Sequence, residues 1–303
     1  MKPLVSIVIP TFNRASDLHR ALSSVRAQTY SKWEVLVVDN HSKDNTDEVV
    51  RSFADARIGI LKIHNNGIIA TSRNLGVRQS RGEIIAFLDS DDWWVPQKLH
   101  ESVRCLEQGN QLVYHDLYLV KKPNQVVLWR KCRTRNLHSS VLEDLISNGN
   151  PISNSSVVVK KILLDEIGGF SECQALAGAE DYDAWLRISR ITEGFKRIPK
   201  ALGFYWMGGA TFTTPKRSIS TIEFLEERYA QEFYELNMRG SCWWTNYVKG
   251  VAHYQLKSYE KARKHFALVP CWQAPYTVMI KSIWLWILAS LIRNKSSNNQ
   301  VGK

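Results

Sequence analysis

A short stretch in the first third of the chain, "FLDSDDWW" at residues 87–94, places three carboxylates directly after an apolar run. The side chains of Asp89, Asp91 and Asp92 stand so close together that their charges repel one another unless a cation or water separates them. An Asp-x-Asp pair offers two carboxylates, and Mg²⁺ or Mn²⁺ binds such groups together with the phosphate oxygens of a ligand. The spacing therefore predicts a divalent cation that holds a diphosphate, with Asp89 and Asp91 as its protein ligands.

Two other interpretations of this stretch compete with the metal site. The aspartates could cap a helix that the sequence predicts to begin near Pro96. An EF-hand calcium loop is excluded, because its required Gly and Glu are replaced by Trp94 and His100 when positions are counted from Asp89. The metal interpretation is favoured because Asp39 ends a neighbouring predicted strand and is expected to face the same cleft.

The first ninety residues alternate between two patterns. Short, continuously apolar runs predict buried strands, and apolar residues at helical spacing predict helices between them. Such alternation predicts an α/β fold with a mostly parallel sheet covered by helices on both faces. Right-handed crossovers bring the carboxyl ends of the strands to one edge, where ligands of such sheets bind. The strands are predicted at 4–10, 33–40, 57–64 and 83–89, and the helices at 15–28, 45–54 and 67–80.

The rest of the chain is predicted in two sections. A mixed section follows the first ninety residues, and from about Ser218 the pattern indicates helices only, including one long helix at 219–238 and a helical pair at 251–269. The sequence thus predicts a catalytic domain at 1–212 and a C-terminal helical region at 213–303. Further helices are predicted at 95–109, 137–149 and 180–191, and further strands at 112–120, 125–130, 153–161 and 195–207.

Composition and charge narrow the class of protein. The 303 residues carry a formal net charge of +11, which suits a nucleic acid, an anionic membrane surface or a phosphorylated ligand. No nucleic-acid recognition motif accompanies the charge, and it concentrates at 121–135 and 249–303 rather than near the aspartates. The five cysteines lack paired spacing, which argues against a disulfide framework or zinc site and favours a reducing cytosol. The apolar run at the N-terminus is too short for a signal peptide.

Three longer stretches carry a resemblance to a known family. They are "SIVIPTFNRASDLHRALSSVRAQTYSKWEVLVVDNHSKDNT", "NNGIIATSRNLGVRQSRGEIIAFLDSDDWWVPQKL" and "EDYDAWLRI". In this order and spacing, over roughly residues 4–206, they resemble the successive signatures of family-2 glycosyltransferases with the GT-A fold. The resemblance implies an inverting, metal-dependent transfer from a nucleotide-diphosphate sugar to a hydroxyl of a glycan or lipid-linked acceptor in cell-surface polysaccharide synthesis. UDP is the nucleotide it favours, although relatives also use dTDP and GDP sugars.

The resemblance also implies a nucleotide-sugar site in the first half of the domain, 1–95. Asp39 is expected to bond the base or ribose, Arg73 to lie against the nucleotide and its diphosphate, and Asp89 to contact the ribose or a metal-bound water. The residues expected to line the nucleotide pocket are Pro10, Thr11, Asn13 and Arg14. Read alone, Asn13 and Arg14 could simply cap the first helix, Asp39 could belong to a turn, and Arg73 could be a solvated side chain.

The same resemblance places the groups that carry out the reaction in both halves of the domain. Asp91 is the expected direct ligand of Mn²⁺ or Mg²⁺, and Asp181 in "EDYD" is the expected general base for the acceptor hydroxyl in the half at 96–212. Asp183 is a weaker rival for that role, and first-turn acids commonly serve only to complement a helix dipole. Secondary candidates are Glu180, Asp92 and Trp93, the last beside the acceptor groove.

One departure from the family concerns the loop "YWMGGATFTT". Many relatives carry a His there as an additional metal or phosphate contact, whereas this chain has Met207 and glycines. The prediction is that backbone N–H groups of this glycine-rich loop close over the diphosphate instead.

The C-terminal helix at 276–292 suggests where the acceptor lies. It has seventeen residues, of which only Lys281 is charged, whereas about 20 are needed to span a bilayer. Trp284 and Trp286 with flanking basic residues suit a helix in the headgroup region. We therefore predict a cytoplasmic protein attached to the inner face of the plasma membrane, with a lipid-diphosphate-linked acceptor. The alternatives are a helix packed on the catalytic domain and, for the chain as a whole, a non-catalytic nucleotide-sugar-binding scaffold.

Overall fold

The computed structural model describes residues 2–122, 125, 128, 130–132, 134–209, 214–269 and 274–301, with side chains through Ile292. Contacts between Cα atoms divide the chain into two compact units. Unit 1 contains Met1–Val141 and Asn150–Ala210, and unit 2 contains Leu142–Gly149 and Thr211–Lys303. The short segment Leu142–Gly149 therefore belongs with the C-terminal helices, although it lies within the first 212 residues of the sequence.

Unit 1 is built on one sheet in which most strands point the same way. β1 pairs in parallel with β2 and β4, β2 with β3, and β6 with β9; β8 lies antiparallel between β4 and β6, so β4 and β6 share a direction. The order across the sheet is β3-β2-β1-β4-β8-β6-β9-β5, with β7 paired to β6. The strands are β1 (Val5–Thr11), β2 (Trp33–Asp39), β3 (Ile58–Lys62), β4 (Ile84–Phe87), β5 (Trp93–Trp94), β6 (Leu112–Val120), β7 (Lys131–Cys132), β8 (Val158–Lys160) and β9 (Phe195–Trp206).

Helices cover both faces of this sheet, which explains why its strands are apolar throughout. Alternate residues of a strand point to opposite faces, and all seven residues of β1 are buried. Ile7 and Ile9 join the core that includes Leu18 and Leu22, while Gly76 lies against the side chain of Val8 so closely that an added Cβ would be 2.4 Å from it. The helices of unit 1 are α1 (Ala15–Arg26), α2 (Thr46–Ser52), α3 (Ile69–Gln79), α4 (Lys98–Glu107), α6 (Lys161–Glu166) and α7 (Glu180–Ser189), and α5 (Val141–Asn148) begins at its boundary.

Unit 2 is helical. Its helices are α8 (Pro215–Arg228), α9 (Ala230–Glu235), α10 (Trp243–Gln255), α11 (Tyr259–Ala267) and α12 (Tyr276–Val301). Cys242 begins α10, and the indole N–H of Trp244 donates a 2.8 Å hydrogen bond to the carbonyl of Ile146, which ties the segment Leu142–Gly149 to this unit. Within the described residues, no helix combines the length and the apolar character needed to cross a bilayer.

The predicted α/β class, the mostly parallel sheet and the C-terminal helices are confirmed, with ends that differ by a few residues. The long helix predicted at 219–238 is wrong, because it breaks at Tyr229 into α8 and α9. The strand predicted at 125–130 falls largely outside the described residues, and the section 195–207 is one strand. Two short elements, β5 and α6, escape prediction because neither is long enough to show a period.

Candidate active site

A buried arginine holds together segments that are far apart in the chain. Arg73 on α3 is 3% exposed, and its Nη2 donates to Oδ1 of Asp89, just after β4, at 2.8 Å. Its Nη1 donates to Oε1 of Glu180, at the start of α7, at 2.5 Å. The other oxygen of Glu180 accepts the backbone N–H of Gly178 at 2.6 Å. The alternative that Arg73 is a solvated surface residue is therefore wrong.

Arg73 remains a cation in this setting for a clear reason. Burial disfavours the charged guanidinium, but the attraction of Asp89 and Glu180 outweighs it and raises the Arg73 pKa above its ordinary value. A permanent positive charge is thus fixed between the strand that carries the Asp-x-Asp pair and the helix that carries the predicted base.

The two remaining aspartates of the acidic stretch have different surroundings. Oδ2 of Asp91 accepts from Nη1 of Arg14 at 2.9 Å, and its backbone carbonyl accepts from Nη2 of Arg20 at 2.8 Å. Burial and the neighbouring Asp89 raise the Asp91 pKa. Asp92 is 2% exposed and accepts the backbone N–H of Trp206 at 2.9 Å, and burial with its two acidic neighbours raises its pKa well above the usual range. Asp92 therefore orients the turn, whereas Asp89 and Asp91 are half-buried at its open side.

The predicted base lies beside this network. Asp181 is half-buried in the first turn of α7, and its Oδ1 accepts the N–H of Tyr182 at 2.7 Å. Burial and the adjacent Glu180 raise the Asp181 pKa to about 7, against the opposing effect of Arg73. A carboxylate with such a pKa accepts a proton near neutral pH, as a general base must.

Asp183, the rival candidate, has a structural position. Its side chain is fully buried and accepts from Nε of Arg187 at 2.8 Å, and Arg187 also donates to the carbonyl of Ile167 at 2.7 Å. This pairing joins α7 to the end of α6. Asp183 is therefore committed to helix packing, and Asp181 is the acid of this turn with a raised pKa near neutrality.

The predicted nucleotide pocket lies at the ends of β1 and β2. Asp39 is fully buried, accepts from Nζ of Lys62 at 2.7 Å and accepts the N–H of Ser42 at 3.1 and 3.2 Å. The N–H of Asn13 donates to Oγ of Ser42 at 2.8 Å, and Oδ1 of Asn13 accepts the N–H of Lys43 at 2.8 Å. These bonds connect the loops after two neighbouring strands and hold Asp39 in place between them.

The remaining residues predicted for that pocket are also at this edge. Pro10 and Thr11 are the last, buried residues of β1, which pair with Val38 and Asp39. Arg14 occupies the N-cap position of α1, so the capping alternative holds for its place in the chain but not for its side chain. Oδ2 of Asp44, from the following loop, accepts the N–H of Ala15 at 2.9 Å, and Arg14 makes no capping bond.

Three further residues belong to the site that the sequence motifs did not single out. Oγ of Ser155 accepts the N–H of Asp89 at 3.1 Å, and its carbonyl accepts the indole N–H of Trp94 at 2.8 Å. Phe12, between Thr11 and Asn13, is 48% exposed. Exposure of an aromatic ring to water costs free energy, which contact with the nucleobase of a ligand could offset. The guanidinium of Arg20 lies 4.2 Å from the ring centroid of Trp93. Phe12 stood inside a quoted motif, whereas Ser155 is 66 residues from Asp89 and gives no local signal.

The two tryptophans after the acidic stretch separate by role. Trp94 is 3% exposed and belongs to the core. Trp93 is half-buried and stacks on Phe204 with 5.0 Å between ring centroids, and Trp206 lies 6.4 Å away. An open aromatic group therefore stands directly beside Asp92, where a sugar ring could pack.

The carboxylates of Asp89 and Asp91 suit a hard cation whose coordination is completed by oxygens of a bound substrate. Asp89 lies close enough to Asp91 to help raise the Asp91 pKa, and such a pair of carboxylates is the environment that Mg²⁺ or Mn²⁺ neutralises. In the described part of the chain, no group of three or more His, Cys, Asp and Glu side chains could enclose a metal. Substrate oxygens and water would have to complete the coordination. Residues 210–213 of the glycine-rich loop predicted to cover a diphosphate lie outside the described residues.

Comparisons with known proteins agree on one family. The model described as "Glycosyl transferase family 2" matches residues 6–155. The Escherichia coli protein named UDP-Glc:alpha-D-GlcNAc-diphosphoundecaprenol beta-1,3-glucosyltransferase WfgD is 30% identical over 243 residues, which cover 77% of this chain and 91% of that protein.

Solved structures share the fold. S. aureus TarS 1–349 in complex with UDP-GlcNAc has a TM-score of 0.60 at 17% identity, covering 98% of this chain and 92% of that one. Mannosyltransferase PcManGT from Pyrobaculum calidifontis in complex with GDP-Man and Mn²⁺ has a TM-score of 0.58 at 18% identity, covering 97% and 87%.

Proposed function

Because the chain belongs to glycosyltransferase family 2, and is therefore a glycosyltransferase, we propose that it transfers a sugar from a UDP-sugar to a hydroxyl of a lipid-diphosphate-linked glycan. The similar E. coli enzyme is named for a UDP-sugar donor and a diphosphoundecaprenol acceptor. The observation that carries the proposal is the Arg73 network, which brings Asp89, Glu180 and the adjacent Asp181 to one place. Cell-surface polysaccharide synthesis is the process that uses such acceptors.

The donor is held at the carboxyl edge of β1, β2 and β4. Asp39, with Pro10, Thr11 and Asn13 beside it, is the group that bonds the base or ribose. Arg73 faces the diphosphate while its two carboxylate partners keep its geometry fixed. Because these groups are positioned before the donor arrives, little reorganisation is needed when it binds.

Asp91 and Asp89 would hold Mn²⁺ or Mg²⁺ together with oxygens of the donor diphosphate. When bound, the cation supplies neutralisation of the charge that grows on the leaving diphosphate. Arg14 now bonds Oδ2 of Asp91, so this arginine must release that oxygen or share it when a cation binds. Solved relatives of the fold include one with GDP-Man and Mn²⁺, which agrees with this chemistry.

Asp181 removes the proton of the acceptor hydroxyl. Its raised pKa matches the demand for a base that is ionised near pH 7 and still basic enough to take a proton. Attack from the face of the sugar opposite the diphosphate inverts the anomeric centre without a covalent intermediate. Trp93 and Trp206 offer a surface on which the acceptor sugar packs.

The decisive experiment replaces the base and keeps its shape. Asp181→Asn is expected to lower kcat by about 10²–10⁴-fold, the range for loss of a general base, while UDP-sugar binding measured by calorimetry stays within twofold. Glu166→Gln, at the end of α6, is a matched acid-to-amide control. Normal turnover by Asp181→Asn with any UDP-sugar and a lipid-diphosphate acceptor would remove Asp181 from the reaction.

The membrane attachment that we propose rests on α12. Ser282 and Ala289 are fully buried against unit 2, and the opposite side of the helix exposes apolar side chains. A spacing of three and four residues places them on one stripe, which we call the α12 stripe. Its members are Tyr276, Ile280, Ile283, Trp284, Ile287 and Leu291, each between 38% and 74% exposed. An interfacial helix on the inner face of the plasma membrane, near a lipid-linked acceptor, accounts for this exposure.

A further inference from the structure

Unit 1 contains a second site of opposite charge to the acidic stretch. A cavity of about 110 Å³ lies beside the ends of β6 and β9, with room for several water-sized groups. We call it the cationic cavity, because two cationic side chains line it together with one amide and two apolar side chains. These are Lys121, Arg130, Gln125, Leu119 and Met207.

The cations of this cavity lack carboxylate partners among the residues that the structure describes. Neither Lys121 nor Arg130 forms an ion pair with any residue that the structure describes. The sequence from 117 to 142 contains no Asp or Glu at all. Lys121 and Arg130 are both exposed, so water screens their mutual repulsion, and an anionic ligand that contacts both side chains would stabilise the arrangement.

The cavity lies on the same edge of the sheet as the candidate active site. β6 and β9 run parallel to each other and in the direction of β4, so the residues after all three strands share an edge. Met207, in the cavity wall, donates its N–H to the carbonyl of Val120 at 2.8 Å. The preceding residue, Trp206, donates its N–H to Asp92 at 2.9 Å. The wall of the cavity is thus one residue from a direct bond to the acidic stretch.

We propose that the cationic cavity binds the diphosphate of the lipid-linked acceptor, an inference that rests on the proposed function. The acceptor named for the E. coli relative carries its diphosphate on the sugar that is extended, so the two charges of that diphosphate must lie within about one sugar ring of the reacting hydroxyl. The acidic stretch repels them, whereas Lys121 and Arg130 attract them. Arginine forms paired hydrogen bonds with phosphate oxygens, and lysine adds a point charge.

The aromatic group between the two sites fits the sugar of the same ligand. Trp93 stacks on Phe204, and Tyr118 lies 5.5 Å from that ring. Trp206 connects this group to Met207 in the cavity wall. An acceptor sugar that packs on these rings would direct its hydroxyl toward the acids and its diphosphate toward Arg130. The phosphate of a membrane phospholipid has similar chemistry, but it has no sugar to occupy the aromatic group.

The test uses two acceptors that differ only in the diphosphate. One is GlcNAc-α-diphosphate on a short alkyl chain, and the other is the alkyl α-glycoside of GlcNAc. Arg130→Gln and Lys121→Gln are each expected to raise KM for the diphosphate acceptor about tenfold, the effect of losing one charge-assisted hydrogen bond. KM for the neutral glycoside and for the UDP-sugar stays within twofold. Lys122→Gln, an exposed neighbour that does not line the cavity, is the matched control and changes neither constant.

A binding measurement separates this inference from the proposed function. Calorimetry of the alkyl diphosphate with the full chain, in EDTA and without donor, is expected to show binding that Arg130→Gln weakens about tenfold. If the wild-type chain transfers no sugar but still binds this probe through Arg130, the proposed function is wrong, whereas the proposal that the cationic cavity binds a diphosphate is supported. If transfer proceeds and the variants match the wild type with both acceptors, the cavity does not bind the diphosphate.

Vesicles distinguish the phospholipid source. Arg130→Gln is expected to bind vesicles of phosphatidylglycerol as the wild type does. Weaker vesicle binding with an unchanged KM for the diphosphate acceptor would assign the cavity to lipid headgroups and overturn the proposal. An equal rise in KM for both acceptors would also overturn it, because it would mean a general change of the acceptor site.

Discussion

The two units depart from the ordinary distribution of polar and apolar side chains in opposite ways. Unit 1 buries charge: Arg73, Glu180 and Asp92 are each 5% exposed or less. Unit 2 exposes apolar surface along the α12 stripe, where Trp284 is 59% and Leu291 56% exposed. Both arrangements cost free energy in an isolated chain.

The difference indicates two kinds of ligand. A buried network of charges suits the binding of a small charged substrate in one fixed orientation. The network here is centred on one arginine with two carboxylates. An exposed apolar stripe on a helix whose other side is packed is justified by an extended apolar surface such as a lipid interface. The first kind of site depends on individual residues, and the second depends on the area that several residues provide together.

Removing the cation from the buried network has the largest expected effect. Arg73→Met leaves Glu180 buried without its partner, and we expect the free energy of unfolding to fall by about 3–5 kcal/mol. Urea denaturation measures it. Arg104→Met, which breaks the exposed ion pair with Glu101, is the control and should cost less than about 1 kcal/mol. Equal losses in the two variants would mean that the Arg73 network adds nothing beyond a surface pair.

The α12 stripe is tested by removing apolar area from positions that do not support the fold. The double variant Ile280→Ser/Trp284→Ser is expected to lower partitioning into anionic vesicles roughly a hundredfold, since each large apolar side chain contributes on the order of 1–2 kcal/mol when it leaves water. Tyr234→Ser, equally exposed on α9 but outside the stripe, should leave partitioning unchanged. Unchanged vesicle binding of the double variant would make the stripe a surface for something other than lipid.

The raised pKa of Asp181 predicts a pH dependence of both rate and stability. Below about pH 7 Asp181, the proposed base, is protonated, so kcat is expected to fall about tenfold per pH unit. The unfolded chain loses this proton near the ordinary value of 3.8, so the folded state binds more protons between about pH 4 and 7. The contribution of Asp181 to the free energy of unfolding therefore decreases as pH rises through that window.

Asp181→Asn provides the control for this titration. The variant should lack that component of the pH dependence in urea denaturation at several pH values, because asparagine does not titrate. A kcat that is flat from pH 5 to 8 in the wild type would contradict the assignment of a base with a pKa near 7.

The smallest expected effect concerns a buried amine that forms no hydrogen bond with the described residues. Lys98 is fully buried, its Nζ lies 3.6 Å from the ring centroid of Trp94, and it has no hydrogen bond to any described residue. Burial lowers its pKa well below the usual range. Lys98→Met should therefore raise the free energy of unfolding by about 1 kcal/mol.

A control variant and a pH dependence test the same prediction for Lys98. Lys196→Met, at an exposed position, should change stability by less than about 0.5 kcal/mol. The wild type should gain stability with rising pH up to about 10, because the unfolded chain binds a proton that the buried amine lacks, and Lys98→Met should not. A loss of stability in Lys98→Met would mean that Lys98 contributes to the network of unit 1, as Arg73 does.

Local patterns in the chain were sufficient to predict most of the strands, the class of fold and the family. The runs that form β1 and β2 are apolar at every position because both faces of the sheet are covered, and this pattern is local. The Asp-x-Asp pair and "EDYD" are equally local, so residue types and spacing alone make Asp91 and Asp181 candidates. The length of the apolar run in α12, its tryptophans and its flanking basic residues likewise led to the prediction of an interfacial helix, which stays a prediction.

The partners of these residues depend instead on contacts between distant segments. Arg73 meets Glu180 across 107 positions, and Ser155 meets Asp89 across 66. Such contacts depend on the antiparallel insertion of β8 between β4 and β6, which no local pattern encodes. The packing of the folded chain also assigned Asp183 to Arg187 and left Lys98 without a described hydrogen-bond partner. Residue types and spacing thus specify which groups are available for chemistry, and strand order and burial set their charge, orientation and pKa.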